Sequence, residues 1–145
     1  MFRYYKSIEV RFSDIDTFGH VNNARYLTYM EQARIGYFRH LGLWWPQDAP
    51  ETGLILANAQ VTFLQPILLE HQVKIGVRIP RLGNKSFPLH YRLEDANSGE
   101  VFATGETVQV CYDYRARQTI PIPASWRQVI AAFEHLAETI QPSSL

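Results

Sequence analysis

The spacing of hydrophobic residues predicts one strand, then one long helix. Apolar and charged residues alternate over residues 8–12, which is the pattern of a strand with one face against a core. Over residues 23–41 the apolar positions instead recur at helical spacing, which predicts a helix of about 27 Å at a rise of about 1.5 Å per residue. Asn22 is suited to cap its start, and Gly42 is suited to end it in a left-handed conformation.

Strand patterns follow the long helix. The segments cover residues 54–64, 73–79, 87–94 and 101–112. Residues 82–86 and 95–100 have the composition of tight turns and are expected to join neighbouring strands as hairpins. After two prolines, helical spacing returns from Pro123 to about residue 139, which predicts a short closing helix.

One early helix followed by consecutive strands predicts an α+β fold, with an antiparallel meander packed on the helix. We expect residues 1–145 to form a single domain, because no linker or repeat interrupts the sequence. An open sheet of this kind has edges, and such edges favour pairing with a second copy of the chain.

Charge and composition exclude several classes of function. Fourteen basic and fourteen acidic residues give a formal net charge of zero, which argues against nucleic acid as a partner. No stretch approaches the roughly 20 apolar residues that span a bilayer. The single cysteine, Cys111, excludes an intramolecular disulfide and reads as a structural thiol in a strand. With no signal sequence apparent, we expect a cytoplasmic protein.

The loop over residues 13–22 carries the candidate chemistry. It contains Asp14, Asp16 and Gly19 and runs directly into the predicted helix. A helix N-terminus presents free amides and about half a positive charge, so it can polarise a carbonyl oxygen. A carboxylate in the preceding loop can face the same carbonyl carbon, as nucleophile or as general base toward water. Turn formation is the alternative role for both aspartates, and a metal site is disfavoured because no further ligands accompany them.

The stretch RFSDIDTFGHVNNARYLTYMEQAR, residues 11–34, resembles the 4-hydroxybenzoyl-CoA thioesterase-like family of hot-dog proteins. The resemblance extends through residues 55–66, 81–87 and 102–110. It implies a hot-dog fold, in which an antiparallel sheet wraps around one long helix. It also implies dimers that form a continuous sheet, with active sites at the subunit interface. We expect a homodimer or homotetramer that uses no metal and no organic cofactor.

The resemblance also implies roles for residues of the loop. It places the catalytic carboxylate on Asp16 and the amide that polarises the thioester carbonyl on Asn23. Gly19 is expected to allow close approach of the backbone to the substrate, and His20 is expected to shape the loop. Asp14 keeps the role of a turn residue.

In the same family, a turn with a K-S-F element contacts the phosphates of coenzyme A. This element matches Lys85 and Ser86, and Arg81 is added as a candidate from its charge alone. Because Gly83 and Asn84 precede the lysine where some relatives have basic residues, acyl carrier protein is the alternative carrier.

The predicted reaction is hydrolysis of an acyl-CoA thioester. A non-catalytic acyl-binding protein is the alternative from another class, and a dehydratase ranks last because only His20 lies near the carboxylates. Glu31 and Arg34 are expected to form a surface ion pair or to face a partner subunit. Trp44 and Trp45 are expected to close the core or line an acyl pocket. The remaining histidines, which we expect in solvent-facing positions without a role, are His40, His71, His90 and His135.

Overall fold

The computed structural model describes residues 1–43 and 52–137. Its elements in chain order are β1 (Tyr4–Glu9), a 3-10 turn (Phe12–Asp14), α1 (Asn23–His40), β2 (Thr52–Phe63), β3 (Gln72–Arg78), β4 (Ser86–Asp95), β5 (Val101–Asp113), β6 (Gln118–Thr119) and α2 (Ala124–Glu134). The predicted α+β class is confirmed. Trp44 and Trp45 lie outside the described residues.

The strands form one antiparallel sheet in the order β1-β3-β4-β5-β2, with the short β6 paired to β5. The predicted hairpins join β3 to β4 and β4 to β5. The meander is therefore correct for three strands but wrong for β2, which crosses to the far edge and pairs with β5. Strand β6 was missed because two residues are too few to show a period.

The first strand lies earlier than its pattern indicates. The prediction covered residues 8–12, whereas β1 is Tyr4–Glu9, with Tyr4 opposite Val77 of β3. The chain leaves the sheet afterwards because a 3-10 turn forms, in which the Asp14 amide donates to the Arg11 carbonyl at 2.9 Å. Phe12, predicted to face the core, is 82% exposed.

Helix α1 begins where its cap predicts. The Asn22 side chain accepts a hydrogen bond from the Ala24 amide at 2.9 Å, and Gly42 adopts a φ of +75° after the last turn. One face of α1 is buried against the sheet, including Met30, Ala33 and Phe38. This packing is close at Gly105 of β5, where an added Cβ would lie 2.7 Å from the Met30 methyl carbon.

Helix α2 closes the fold at the C-terminal end of α1. It ends at Glu134, because His135 is left-handed with a φ of 57°, and so ends before the predicted residue 139. The buried Glu134 carboxylate accepts hydrogen bonds from the Tyr37 hydroxyl at 2.5 Å and from the Ile79 amide at 3.0 Å. The last eight residues lie outside the described part of the chain.

Strand β2 differs from the rest of the sheet in its exposure. Among its twelve described residues none is buried, on either face, although its neighbour β5 is largely covered. Its sequence, TGLILANAQVTF, has no charge and no proline. Natural proteins normally protect long edge strands with charges or cover them, and β2 carries no such charge.

Candidate active site

The loop before α1 is closed by short backbone contacts. Ile15 and Val21 form an isolated bridge across its base. Within it, the Asp16 amide donates to the His20 carbonyl at 3.1 Å, and the Gly19 amide donates to the Asp16 carbonyl at 3.0 Å. The loop is therefore a tight, hydrogen-bonded turn that presents Asp16 near the start of α1.

The Asp16 side chain is half-buried and keeps one oxygen available. Its Oδ1 atom accepts from the Phe18 amide at 2.9 Å, and no donor within the described chain reaches Oδ2. Gly19 has a φ of +88°, a backbone conformation that other residues rarely adopt. Beyond the adjacent residues, no atom of the described chain lies within 4 Å of the position that a Cβ would occupy there. The His20 ring stacks on Phe18 with 6.4 Å between ring centres.

Asn23 is the first residue of α1, and its amide points out of the helix start. Asn22 accepts hydrogen bonds from the two amides that follow Asn23. Its side chain accepts from the Ala24 amide, and its backbone carbonyl accepts from the Arg25 amide at 2.9 Å. No acceptor in residues 1–43 or 52–137 takes the Asn23 N–H. The Asn23 N–H is therefore a free donor at the positive end of the dipole of an eighteen-residue helix.

Asp14 does more than form the turn that the sequence predicted, because it is the centre of a hydrogen-bond network at the base of the loop. It is 1% exposed and accepts the Tyr29 hydroxyl at 2.6 Å, the Arg11 amide at 3.0 Å and the Arg11 guanidinium at 3.1 Å. Burial by itself raises the pKa of the Asp14 carboxyl, but the hydrogen bonds from Tyr29 and Arg11 outweigh it and the pKa is lowered. Burial and the Asp14 carboxylate in turn raise the pKa of Tyr29.

Local sequence offered no way to distinguish the two aspartates by burial. The signal that was available is Tyr29, which lies two turns into the helix with its hydroxyl toward the loop. Its polar end needs a partner when buried, and the nearby carboxylate supplies one.

The turn between β3 and β4 brings together the residues predicted to contact coenzyme A. Lys85 donates to the Thr119 hydroxyl at 3.3 Å, and Arg81 is exposed on the same turn. The turn is tightened by a 2.8 Å hydrogen bond from the Gly83 amide to the Ser86 carbonyl. Arg127 of α2 also contacts the turn and donates to the Gly83 carbonyl at 2.5 Å. The sequence did not predict this third basic residue, because it lies 44 positions from Gly83 in the chain.

The loop and the turn lie at opposite ends of the sheet. The loop follows β1 at the end of the sheet where β3 begins and β4 ends, at Asp95. The turn lies where β4 begins, at Ser86. A strand of ten residues spans roughly 30 Å at about 3.3 Å per residue, so one chain holds the two halves of the predicted site far apart.

Several other expectations are corrected by the structure. Glu31 and Arg34 form no ion pair with each other in the described chain, and Arg34 instead donates to the Tyr91 hydroxyl at 3.1 Å. Beside them, a cavity of about 170 Å³ lies between α1 and strands β2 and β5. His71 and His90 are half-buried and bonded, His71 to the Leu68 amide at 2.8 Å and His90 to Glu106 at 2.8 Å.

Cys111 is fully buried, and burial raises the pKa of its thiol to about 12. Among the described residues, no group of three or more histidine, cysteine or acidic side chains is placed to hold a metal ion. No helix in the same residues is long and apolar enough to cross a membrane.

Comparison with known proteins identifies the fold and the family. A crystal structure of a thioesterase complexed with coenzyme A and zinc, from Thermus thermophilus, is 36% identical and superposes with a TM-score of 0.79 over 92% of this chain and 96% of that one. The structure of BH1999 gentisyl-coenzyme A thioesterase is 28% identical, with a TM-score of 0.79 over 88% of this chain and all of that one.

Curated relatives have different substrates in their names. The long-chain acyl-CoA thioesterase FadM of Escherichia coli is 26% identical over 83% of this chain and 92% of its own length. The 1,4-dihydroxy-2-naphthoyl-CoA hydrolase of Thermosynechococcus vestitus is 30% identical over 79% of each chain. The sequence profile of the thioesterase-like superfamily matches residues 10–133. The chain therefore belongs to the thioesterase-like superfamily and is a thioesterase of the hot-dog fold.

Proposed function

We propose that this thioesterase hydrolyses an acyl-CoA thioester, with Asp16 as the catalytic carboxylate and the Asn23 N–H as the donor to the carbonyl oxygen. The observation that carries the proposal is that the loop and the helix start that follows it each present an unsatisfied polar group. Asp16 keeps a free oxygen, and the Asn23 amide has no acceptor in the described chain. The relatives named as acyl-CoA hydrolases support coenzyme A as the carrier.

Two reaction routes use the same groups. As a nucleophile, the Asp16 carboxylate bonds to the carbonyl carbon, the carbon–sulfur bond breaks, and water then hydrolyses the resulting anhydride. As a general base, Asp16 takes a proton from water while that water attacks the carbonyl carbon; the carbon–sulfur bond then breaks, and the leaving thiolate takes up a proton to give the free acid and thiol. In both routes negative charge develops on the thioester oxygen, and the Asn23 amide at the helix dipole stabilises it.

A complete site requires a second copy of the chain. We propose a homodimer, or a tetramer built from such dimers, in which two β2 edges pair antiparallel about a two-fold axis. Antiparallel pairing places the end of one β2 beside the start of the other. The Asp16 loop of one subunit is then brought toward Lys85 and Arg81 of the partner subunit, which supply positive charge for the phosphates of coenzyme A.

The proposal is tested by thiol release from short, medium, long and aromatic acyl-CoAs, with wild type and Asp16→Asn compared. Removal of a general acid–base group costs about 10² to 10⁴ in rate, so we expect a loss of that size with the melting temperature preserved. Asp95→Asn is a matched control, because Asp95 also accepts from the amide two residues ahead, at 2.7 Å, but lies in a hairpin turn.

Three results contradict parts of the proposal. Equal activity of wild type and Asp16→Asn would remove Asp16 from the mechanism. Cleavage of acyl-acyl-carrier-protein in preference to every acyl-CoA would replace the carrier. Tight binding of acyl-CoA without turnover by the wild type would identify an acyl-binding protein instead of a hydrolase.

A further inference from the structure

A buried carboxylate, Asp14, supports the candidate catalytic loop through hydrogen bonds and ion pairs. The Asp14 side chain is fully buried, and Arg25 approaches it at 3.8 Å in addition to the Arg11 and Tyr29 contacts. Its backbone carbonyl accepts from the Asn22 amide at 2.9 Å. Asp14 therefore contacts both the residue that caps α1 and a side chain inside α1.

This arrangement ties the loop to the helix at both of its ends. Asp14 and Asn22 flank the segment that the Ile15–Val21 bridge closes, so their hydrogen bond completes a ring of backbone around Asp16. Tyr29 lies on α1, and its hydroxyl donates to the Asp14 Oδ2 atom at 2.6 Å. This hydrogen bond holds the ring of backbone against the helix. The loop cannot tilt relative to the Asn23 amide without breaking the Tyr29 contact.

A carboxylate suits this place better than a neutral amide. Asp14 accepts three donors at once, two on Oδ2 and one on Oδ1, and the Arg11 guanidinium compensates its charge. Asparagine would turn an NH₂ donor toward one of these donors. The network thus needs the negative charge, although that charge is sealed from the open face where Asp16 stands.

We infer that Asp14 and Tyr29 are positioning residues, which hold the Asp16 carboxylate at a fixed place relative to the Asn23 N–H. The inference rests on the proposed function, because it assigns both groups to one reacting carbonyl. A displacement of about 1 Å can cost 10²-fold in rate, so loss of the Tyr29 contact acts on catalysis without touching the substrate.

Helix α1 supplies a matched control for the test. Tyr37 lies on the same helix, is buried, and donates to the buried Glu134 carboxylate at 2.5 Å at the opposite end of the fold. Tyr29→Phe and Tyr37→Phe each remove one hydroxyl that donates a hydrogen bond to a buried carboxylate. Both variants are expected to lower the melting temperature by similar amounts.

The two variants should differ in catalysis. For Tyr29→Phe we expect kcat to fall by about 10- to 100-fold with KM unchanged, since the loop is displaced and the coenzyme A contacts are not. For Tyr37→Phe we expect wild-type kcat and KM at a temperature where both variants are folded. Asp14→Asn should lower kcat further than Tyr29→Phe does. Its separate control, Glu134→Gln, should keep the wild-type kcat and KM.

The outcomes separate this inference from the proposal it rests on. Wild-type kcat in both Tyr29→Phe and Asp14→Asn, while Asp16→Asn is inactive, would overturn the positioning role and leave the proposed function standing. A rise in KM with unchanged kcat would overturn it equally. Full activity of Asp16→Asn would defeat the proposed function itself, and the positioning role with it.

Discussion

The two ends of this sheet present opposite chemistry to solvent. At one end, the half-buried Asp16 carboxylate stands at a helix start, above a second carboxylate that is buried and neutralised by Arg11. At the other end, Lys85 and Arg81 lie on a turn that Arg127 braces. In the proposed reaction, the acidic end attacks the thioester carbonyl and the basic end holds the phosphates of coenzyme A.

Under the proposed function, each end of the chain supplies half of an active site. A strand of ten residues, roughly 30 Å long, lies between the ends and does not bend one toward the other. The edges of the sheet differ in a related way. Edge strand β1 carries Lys6 and Glu9, whereas the uncharged β2 is left open to pair.

A charge placed on β2 should separate the subunits of the proposed dimer. Ala59→Lys puts an ammonium on an exposed position in the middle of that strand. Two copies in an antiparallel pair would then bring like charges together, so we expect monomers and a loss of activity of roughly 100-fold. Sedimentation velocity and thiol release measure the two effects on the same sample.

Ser7→Lys on β1 is the control for this variant, because it adds the same charge to the other edge of the sheet. It should keep the wild-type oligomeric state and turnover. A monomeric Ala59→Lys protein with wild-type activity would show that one chain suffices for catalysis.

A smaller change tests the basic end by itself. Lys85→Ala should raise KM for acyl-CoA about tenfold with little change in kcat, since a hydrogen bond to a charged group contributes about 1.5–3 kcal/mol. Lys74→Ala is the control, because Lys74 lies on β3 over the Tyr5 ring, 4.6 Å from its centre. An unchanged KM for Lys85→Ala, or an equal rise for Lys74→Ala, would remove the turn from substrate binding.

Features fixed by local chemistry were predictable from the sequence. The start of α1 followed from the Asn22 cap, and its end followed from Gly42, since each acts on adjacent backbone groups. The place of β2 in the sheet did not follow, because strand order is set by long-range pairing. The first strand was misplaced because the Arg11–Asp14 turn overrides an alternating pattern.

The candidate site divides in the same way. The family pattern identified Asp16 and Asn23 as candidates, and the structure locates Asn23 at the start of α1 and Asp16 in the loop before it. Asp14 and Asp16 are alike in local sequence, and the fold reveals that Tyr29 donates a hydrogen bond to Asp14. Arg127 reaches the basic turn from a distant helix, and no sequence spacing marks that contact.

The most direct test of the shared site is a hybrid dimer with two affinity tags, one subunit carrying Asp16→Asn and the other Lys85→Ala. If Asp16 of one chain works with Lys85 of the partner subunit, one of the two sites is fully wild type, and kcat/KM should be about half the wild-type value. If each site lies within one chain, both sites are damaged. A hybrid near one twentieth of wild-type kcat/KM, about half the tenfold-reduced value for Lys85→Ala, would contradict the account.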